Sequence, residues 1–166
     1  MKKSDIINET IDFFVTKELN SSLIEIINNY KFITINALKQ LKLSYDNTLI
    51  KPIILYNLFY TIEVYLKYIL IKDSSVSLES IEKYGHDISL LISECIKEQV
   101  LPDYEELNFL IIQFKNKNGK SLDISKYTHF RYNRFIGNNS LIFTNDLSKK
   151  DKIKIKDVIE WLDLHI

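Results

Sequence analysis

Four polar side chains interrupt an otherwise oily stretch of this sequence, and their spacing is helical. Tyr56, Tyr60, Glu63 and Lys67 follow one another at intervals of four, three and four within Lys51–Lys72. On a helix that pattern lies along one face. Glu63 precedes Lys67 in the favourable orientation for an ion pair, worth only about 0.3–0.5 kcal/mol on a surface. Buried, such a pair is costly unless its remaining hydrogen-bonding capacity is met. Two readings follow. Either the stripe touches solvent where neighbouring helices part, or it lines a cleft or interface with two phenols and an ion pair.

A second chemical cluster is the run Tyr127, Thr128, His129, Phe130, Arg131, Tyr132, Asn133, Arg134. Of 22 basic residues only Arg131 and Arg134 are arginine, and both fall here. A guanidinium fork binds carboxylate or phosphate in a bidentate way and stacks on aromatic faces. Phe130 and Tyr132, interleaved with the arginines, are suited to stacking on a base. The structural alternative is an arginine that ties a loop to helix carbonyls or to Glu63.

The third cluster is Tyr84, Gly85, His86, Asp87. A histidine at a helix start, beside an aspartate, is either a proton donor and acceptor near neutral pH or a capping residue. His165, at the end of the last expected helix, is read as a cation placed where the helix dipole favours one. The phosphate-binding, dinucleotide, zinc-protease and nucleophile-elbow signatures are all missing, as is any paired Cys/His spacing. No metal and no cofactor are expected.

These residues must be positioned by helices. Three glycines and two prolines leave little turn chemistry for a sandwich or barrel. The expected fold is all-α, a bundle of about five to seven helices around a central apolar helix at about 52–72. Ser4 and Asp5 can cap a first short helix to about Glu18, with Ile7, Ile11, Phe14 and Val15 on one face. Asn20, Ser21 and Ser22 interrupt it. Ser22 and Glu25 form a capping-box pattern for a second helix to about Leu43, along which Leu23, Ile26, Ile27, Tyr30 and Ile33 recur. Pro52 sits in the first turn of the central helix.

Leu78–Lys83 is a short helix stopped by Gly85 at a positive φ. Asp87 caps Ile88–Glu98, with Leu91, Cys95 and either Ile88 or Ile92 inward. Pro102 opens a helix with Asp103, Glu105 and Glu106 in its first turn, ending near 117–119. Residues 121–132 read as a short helix leading into a loop, 137–139 as a turn and 141–144 as an extended piece. Ser148 with Asp151 opens a last helix carrying Ile153, Ile155, Val158, Trp161 and Leu162. No repeat or linker divides the chain, so a single domain over 1–166 is expected.

The 22 basic and 22 acidic residues cancel, so any contact with nucleic acid has to be local. The single Cys95 has no thiol partner for a disulfide or a zinc site, which suits a reducing, cytoplasmic compartment and a buried small hydrophobe. No apolar core follows the lysines of the N-terminus, so no signal peptide is expected. Pro52–Ile71 is long and oily enough to suggest a membrane. Glu63 and Lys67, each costing about 2.5–3.5 kcal/mol at a helix centre in lipid, argue instead for a buried core helix.

Taken in order, Thr61-Ile62-Glu63-Val64-Tyr65-Leu66-Lys67, Tyr84-Gly85-His86-Asp87-Ile88 and Phe130-Arg131-Tyr132-Asn133 resemble the HEPN superfamily, the higher eukaryotes and prokaryotes nucleotide-binding domains. The likeness spans roughly residues 52–133. It implies a helical bundle that often forms homodimers and works in bacterial or phage defence, toxin–antitoxin pairs with a partner antitoxin, or RNA processing. Many relatives are metal-independent ribonucleases whose motif is Arg, four to six residues, then His. This sequence departs from that motif, because the only histidine after Arg131 and Arg134 is His165. The expectation is therefore a protein that binds RNA or a nucleotide through Tyr60, Glu63, Lys67, Asp87, Tyr132 and Arg134. His86, His129 and Arg131 are the candidates for catalysis in a variant ribonuclease site. The alternative from another class is a non-catalytic protein-interaction or dimerisation module.

Overall fold

Apolar spacing along the helices is met by one shared core. The computed structural model describes residues 3–40, 50–102, 104–112, 127–128 and 149–166, and of residues 3–16, 50–52 and 111–112 it describes the backbone. Six helices run through these residues: α1 (Lys3–Gln40), α2 (Ile50–Asp73), α3 (Leu78–Lys83), α4 (Ile88–Lys97), α5 (Tyr104–Ile112) and α6 (Lys149–His165). Among the described residues there is no strand, and the all-α bundle expected from composition is what forms.

The central position of α2 follows from its residues. Ile54, Leu55, Phe59, Ile62, Tyr65, Leu66 and Leu70 are fully buried along one half of the helix, and Asn57, Thr61, Val64 and Tyr68 are buried on the opposite side. Such an element has to be surrounded, and α1, α3, α4 and α6 all pack on it. Each of the fully buried aliphatic side chains contributes about 1.5–3 kcal/mol of transfer free energy. The helix is long and apolar enough to cross a membrane by length and composition, yet 78% of it is buried inside the protein.

The interruption expected at Asn20, Ser21 and Ser22 does not occur, and α1 passes through it unbroken. The Ser21 and Ser22 hydroxyls donate to the carbonyls of Lys17 and Glu18, each at 3.1 Å. Serine in this back-bonded state tolerates a helix interior. Leu23, Ile26 and Ile27 on the same helix pack against the core, and that tertiary gain exceeds the weak local preference for a break. The Ser22–Glu25 capping box is thus not a helix start. Ile33 is 42% exposed, while Thr34 takes the fully buried place beside it.

α1 and α2 run antiparallel. Tyr30 meets Tyr60 with ring centroids 4.5 Å apart, and further along Leu19 and Leu23 share a cavity with Lys67 and Ile71. Lys31, buried on α1, donates to Asp163 on α6.

The short elements form as their caps dictate. Ser77 accepts from the Ser80 N–H at the start of α3, and Gly85 takes φ +56° after its end. Asp87 accepts from the Ser89 and Leu90 N–H groups at the start of α4, and Ile88, Leu91, Ile92 and Cys95 are all buried. The Cys95 thiol reaches the Leu66 carbonyl at 3.7 Å, and burial pushes its pKa up to about 12. It is a core residue, as its isolation in the sequence suggested.

In α6 the face is set by Ile155, Val158, Ile159 and Leu162, all buried. Ile153 was expected with them but is 50% exposed. It precedes Ile155 by two residues, about 200° around the helix, whereas Lys154, four residues before Val158, is buried. The expected features at 117–126, 129–148 and the Ser148 cap lie outside the described residues.

Candidate functional site

Glu63 is 2% exposed, near the middle of the central helix α2. A bare carboxylate there would be prohibitively costly, so its partners decide whether the arrangement exists at all. Three donors meet it. Lys67, one turn along α2, donates from Nζ to Oε1 at 2.8 Å. His86, in the turn between α3 and α4, lies with Nδ1 at 3.1 Å from both Oε1 and Oε2. Tyr127, in a short helical turn, donates its hydroxyl to Oε2. Three separate stretches of chain therefore converge on one buried anion.

The local folding behind this is legible. Gly85, in the left-handed region, lets the chain reverse between α3 and α4. The Gly85 N–H bonds back to the Glu82 carbonyl at 3.0 Å, and the Asp87 N–H to the Tyr84 carbonyl at 3.1 Å. His86 sits inside this tight turn, its ring edge-on to Tyr127 at 6.4 Å. Because the ionised carboxylate only accepts, Nδ1 must carry the proton that faces it. The His86 side chain is 61% exposed, and among the described residues Nε2 has no partner. Asp87 is engaged otherwise, its Oδ1 accepting from Ser89 N–H at 2.9 Å and Leu90 N–H at 3.1 Å.

Around the carboxylate the phenols form a wall. Tyr56 and Tyr60 lie nearly parallel with centroids 6.0 Å apart, Tyr30 leans on Tyr60, and Tyr56 and Phe59 both contact the Tyr127 ring. Burial, and then the hydrogen bond to Glu63, raise the Tyr127 pKa. Burial, then the neighbouring Tyr30, Glu63 and Tyr56, raise that of Tyr60. Both phenols stay protonated at neutral pH, and that of Tyr127 donates to Glu63.

On the far side of Lys67 lies a cavity of about 190 Å³ between α1, α2 and α3, walled by Leu19, Leu23, Ile71, Leu78 and Ile81, with Lys67 and Glu82 as its polar members. Lys67 is 22% exposed and so joins this cavity to the Glu63 cluster. No group of histidine, cysteine and acidic side chains suited to a metal occurs among the described residues.

The structure thus brings together Glu63, Lys67 and His86 from the sequence-based set, with Tyr60 beside them. It gives Asp87 a capping role at the same turn. Glu63 is too deep to touch a ligand, and its effect on one passes through Lys67, His86 and Tyr127. Two participants had no such role assigned from sequence. Tyr30 read only as part of a helical face, and Tyr127 only as the first residue of the arginine segment; no local pattern reveals that a phenol will cross the bundle to a carboxylate. His129, Arg131, Tyr132 and Arg134 lie outside the described residues. Neither family models, nor curated proteins, nor solved structures give a match to this chain.

Proposed function

We propose that this is a HEPN-like helical protein of the cytoplasm that binds RNA or a nucleotide at the mouth of the Glu63 cluster, in a bacterial or phage defence or toxin–antitoxin setting. The observation that carries this reading is the bond from Tyr127 to Glu63. It joins the chain leading into the arginine segment to the carboxylate that also holds Lys67 and His86. Arg131 follows Tyr127 by four residues in the sequence. Guanidinium, ammonium and imidazole groups are the donors that phosphate oxygens take. The buried carboxylate holds Lys67 and His86 together without offering its own charge to the ligand.

The test is binding of single-stranded RNA at several stated salt concentrations. Arg131→Ala and Arg134→Ala should each weaken binding and lower the salt slope by about 0.7 for every phosphate that is no longer neutralised. Binding indifferent to both variants and to His86→Ala would remove the reading.

A second reading, a protein-interaction or homodimerisation module, has its own observation. Phe32 is 66% exposed and Ile35, three residues on along the same face of α1, is 37% exposed. On that reading Phe32→Asp converts a dimer to a monomer in solution, and a wild-type monomer at high concentration counts against it.

A further inference from the structure

His86 combines two properties that oppose each other in most histidines. Its ring is mostly open to solvent, at 61% exposure, while Nδ1 is fixed by a carboxylate that is 2% exposed. An exposed imidazole in water exchanges its proton between two nitrogens. Here Nδ1–H is committed to Glu63 at 3.1 Å from either oxygen, so the lone pair is confined to Nε2. The edge of Tyr127 limits the ring further. Lys67 shares Oε1 with the same imidazole, which sets a cation beside it. The neighbouring Asp87 carboxylate is held by the α4 backbone through Oδ1.

From this geometry we propose that His86 is a phosphoryl-accepting histidine, with Nε2 the nucleophile, Glu63 its positioning residue and a small phosphoramidate-type compound the donor. The Nε2 lone pair attacks phosphorus and the N–P bond forms. The P–N bond of the donor breaks, and its nitrogen, already protonated to –NH3+ in the reacting form, leaves with the electron pair as ammonia. The ring then bears one positive charge, centred on Nδ1–H, where the ionised Glu63 faces it. The exposure of the ring favours this role over proton abstraction from a substrate held in a cleft, because an approaching donor needs access to Nε2 and no enclosing pocket. This inference goes beyond nucleic-acid binding and does not depend on it.

The experiment is treatment of the intact protein with potassium phosphoramidate, followed by 31P NMR and by mass mapping after digestion at alkaline pH. The expected product is a single acid-labile, alkali-stable phosphoryl group on Nε2 of His86, formed faster than any on His129 or His165. His165 is the internal reference, since its Nδ1 also meets an acceptor, the Trp161 carbonyl at 2.7 Å, but one without charge. Glu63→Gln, which keeps the shape and removes the charge, should slow the reaction by about tenfold, as expected when a charged acceptor becomes neutral. Should that variant fail to fold, 15N–1H long-range NMR of the wild-type imidazole reads the tautomer directly, and Nδ1 should carry the proton. Phosphorylation of His165 or of lysines ahead of His86 would overturn the proposal. So would a Glu63→Gln rate equal to wild type, or a wild-type ring protonated at Nε2.

Discussion

Two lysines in this bundle each reach an acidic side chain, and the two pairs are built on opposite plans. Lys31 on α1 donates to Asp163 on α6; the lysine is buried and its partner is 56% exposed. Water can take over most of what that lysine gives to Asp163, so the bond is a strap between two helices and its loss is cheap. Glu63 is the inverse case, with the carboxylate buried, Tyr127 buried beside it, and Lys67 and His86 reaching it from nearer the surface. Nothing can replace those donors, so the carboxylate dictates where three pieces of chain must lie. A charge buried at the hub organises structure, whereas a buried charge with a wet partner merely fastens it.

The contrast between hub and strap is most exposed at the hub. Glu63→Ala should destabilise the fold by about 3–5 kcal/mol, the range for removing one member of a buried charged set, measured by urea unfolding. A loss below about 1 kcal/mol would mean the cluster is wet. Tyr127→Phe removes one donor to a charged acceptor and should cost about 1.5–3 kcal/mol. At the strap, Lys31→Met keeps the buried stem and should change stability by only about 0–1 kcal/mol.

Alkaline pH probes the hub together with the core beside it. Burial and the Glu63 bond raise the Tyr127 pKa, and burial brings Cys95 to about 12. A group whose folded pKa lies above its unfolded value stabilises fully below the unfolded value, about 8.5 for a thiol and about 10 for a phenol. That contribution is lost as pH rises toward the folded pKa, because the folded state then binds more protons. Urea midpoints should therefore fall above about pH 9–10, and Tyr127→Phe should fall less steeply than wild type. Parallel curves for the two proteins would place the phenol in water.

Local signals in the sequence foretold the pieces of this hub better than their meeting. The α3–Gly85–His86–Asp87–α4 unit was legible almost residue by residue, because caps and a positive-φ glycine act over a few positions. The apolar surround of α2 and the four-residue step from Glu63 to Lys67 were legible from periodicity. Where packing outweighed local preference the reading failed, as at Ser21 and Ser22 inside α1 and at Ile153 on α6. Tyr127 on Glu63 spans 64 positions, a contact set by how whole helices pack and by no spacing rule.

Glu63 and Tyr127 act as one unit, and a double-mutant cycle measures that coupling without intermediaries. Unfolding free energies of wild type, Glu63→Gln, Tyr127→Phe and the double variant should show an interaction energy of about 1 kcal/mol or more, as found for residues sharing one hydrogen-bonded network. Effects that add within about 0.3–0.5 kcal/mol, as for distant sites, would contradict it.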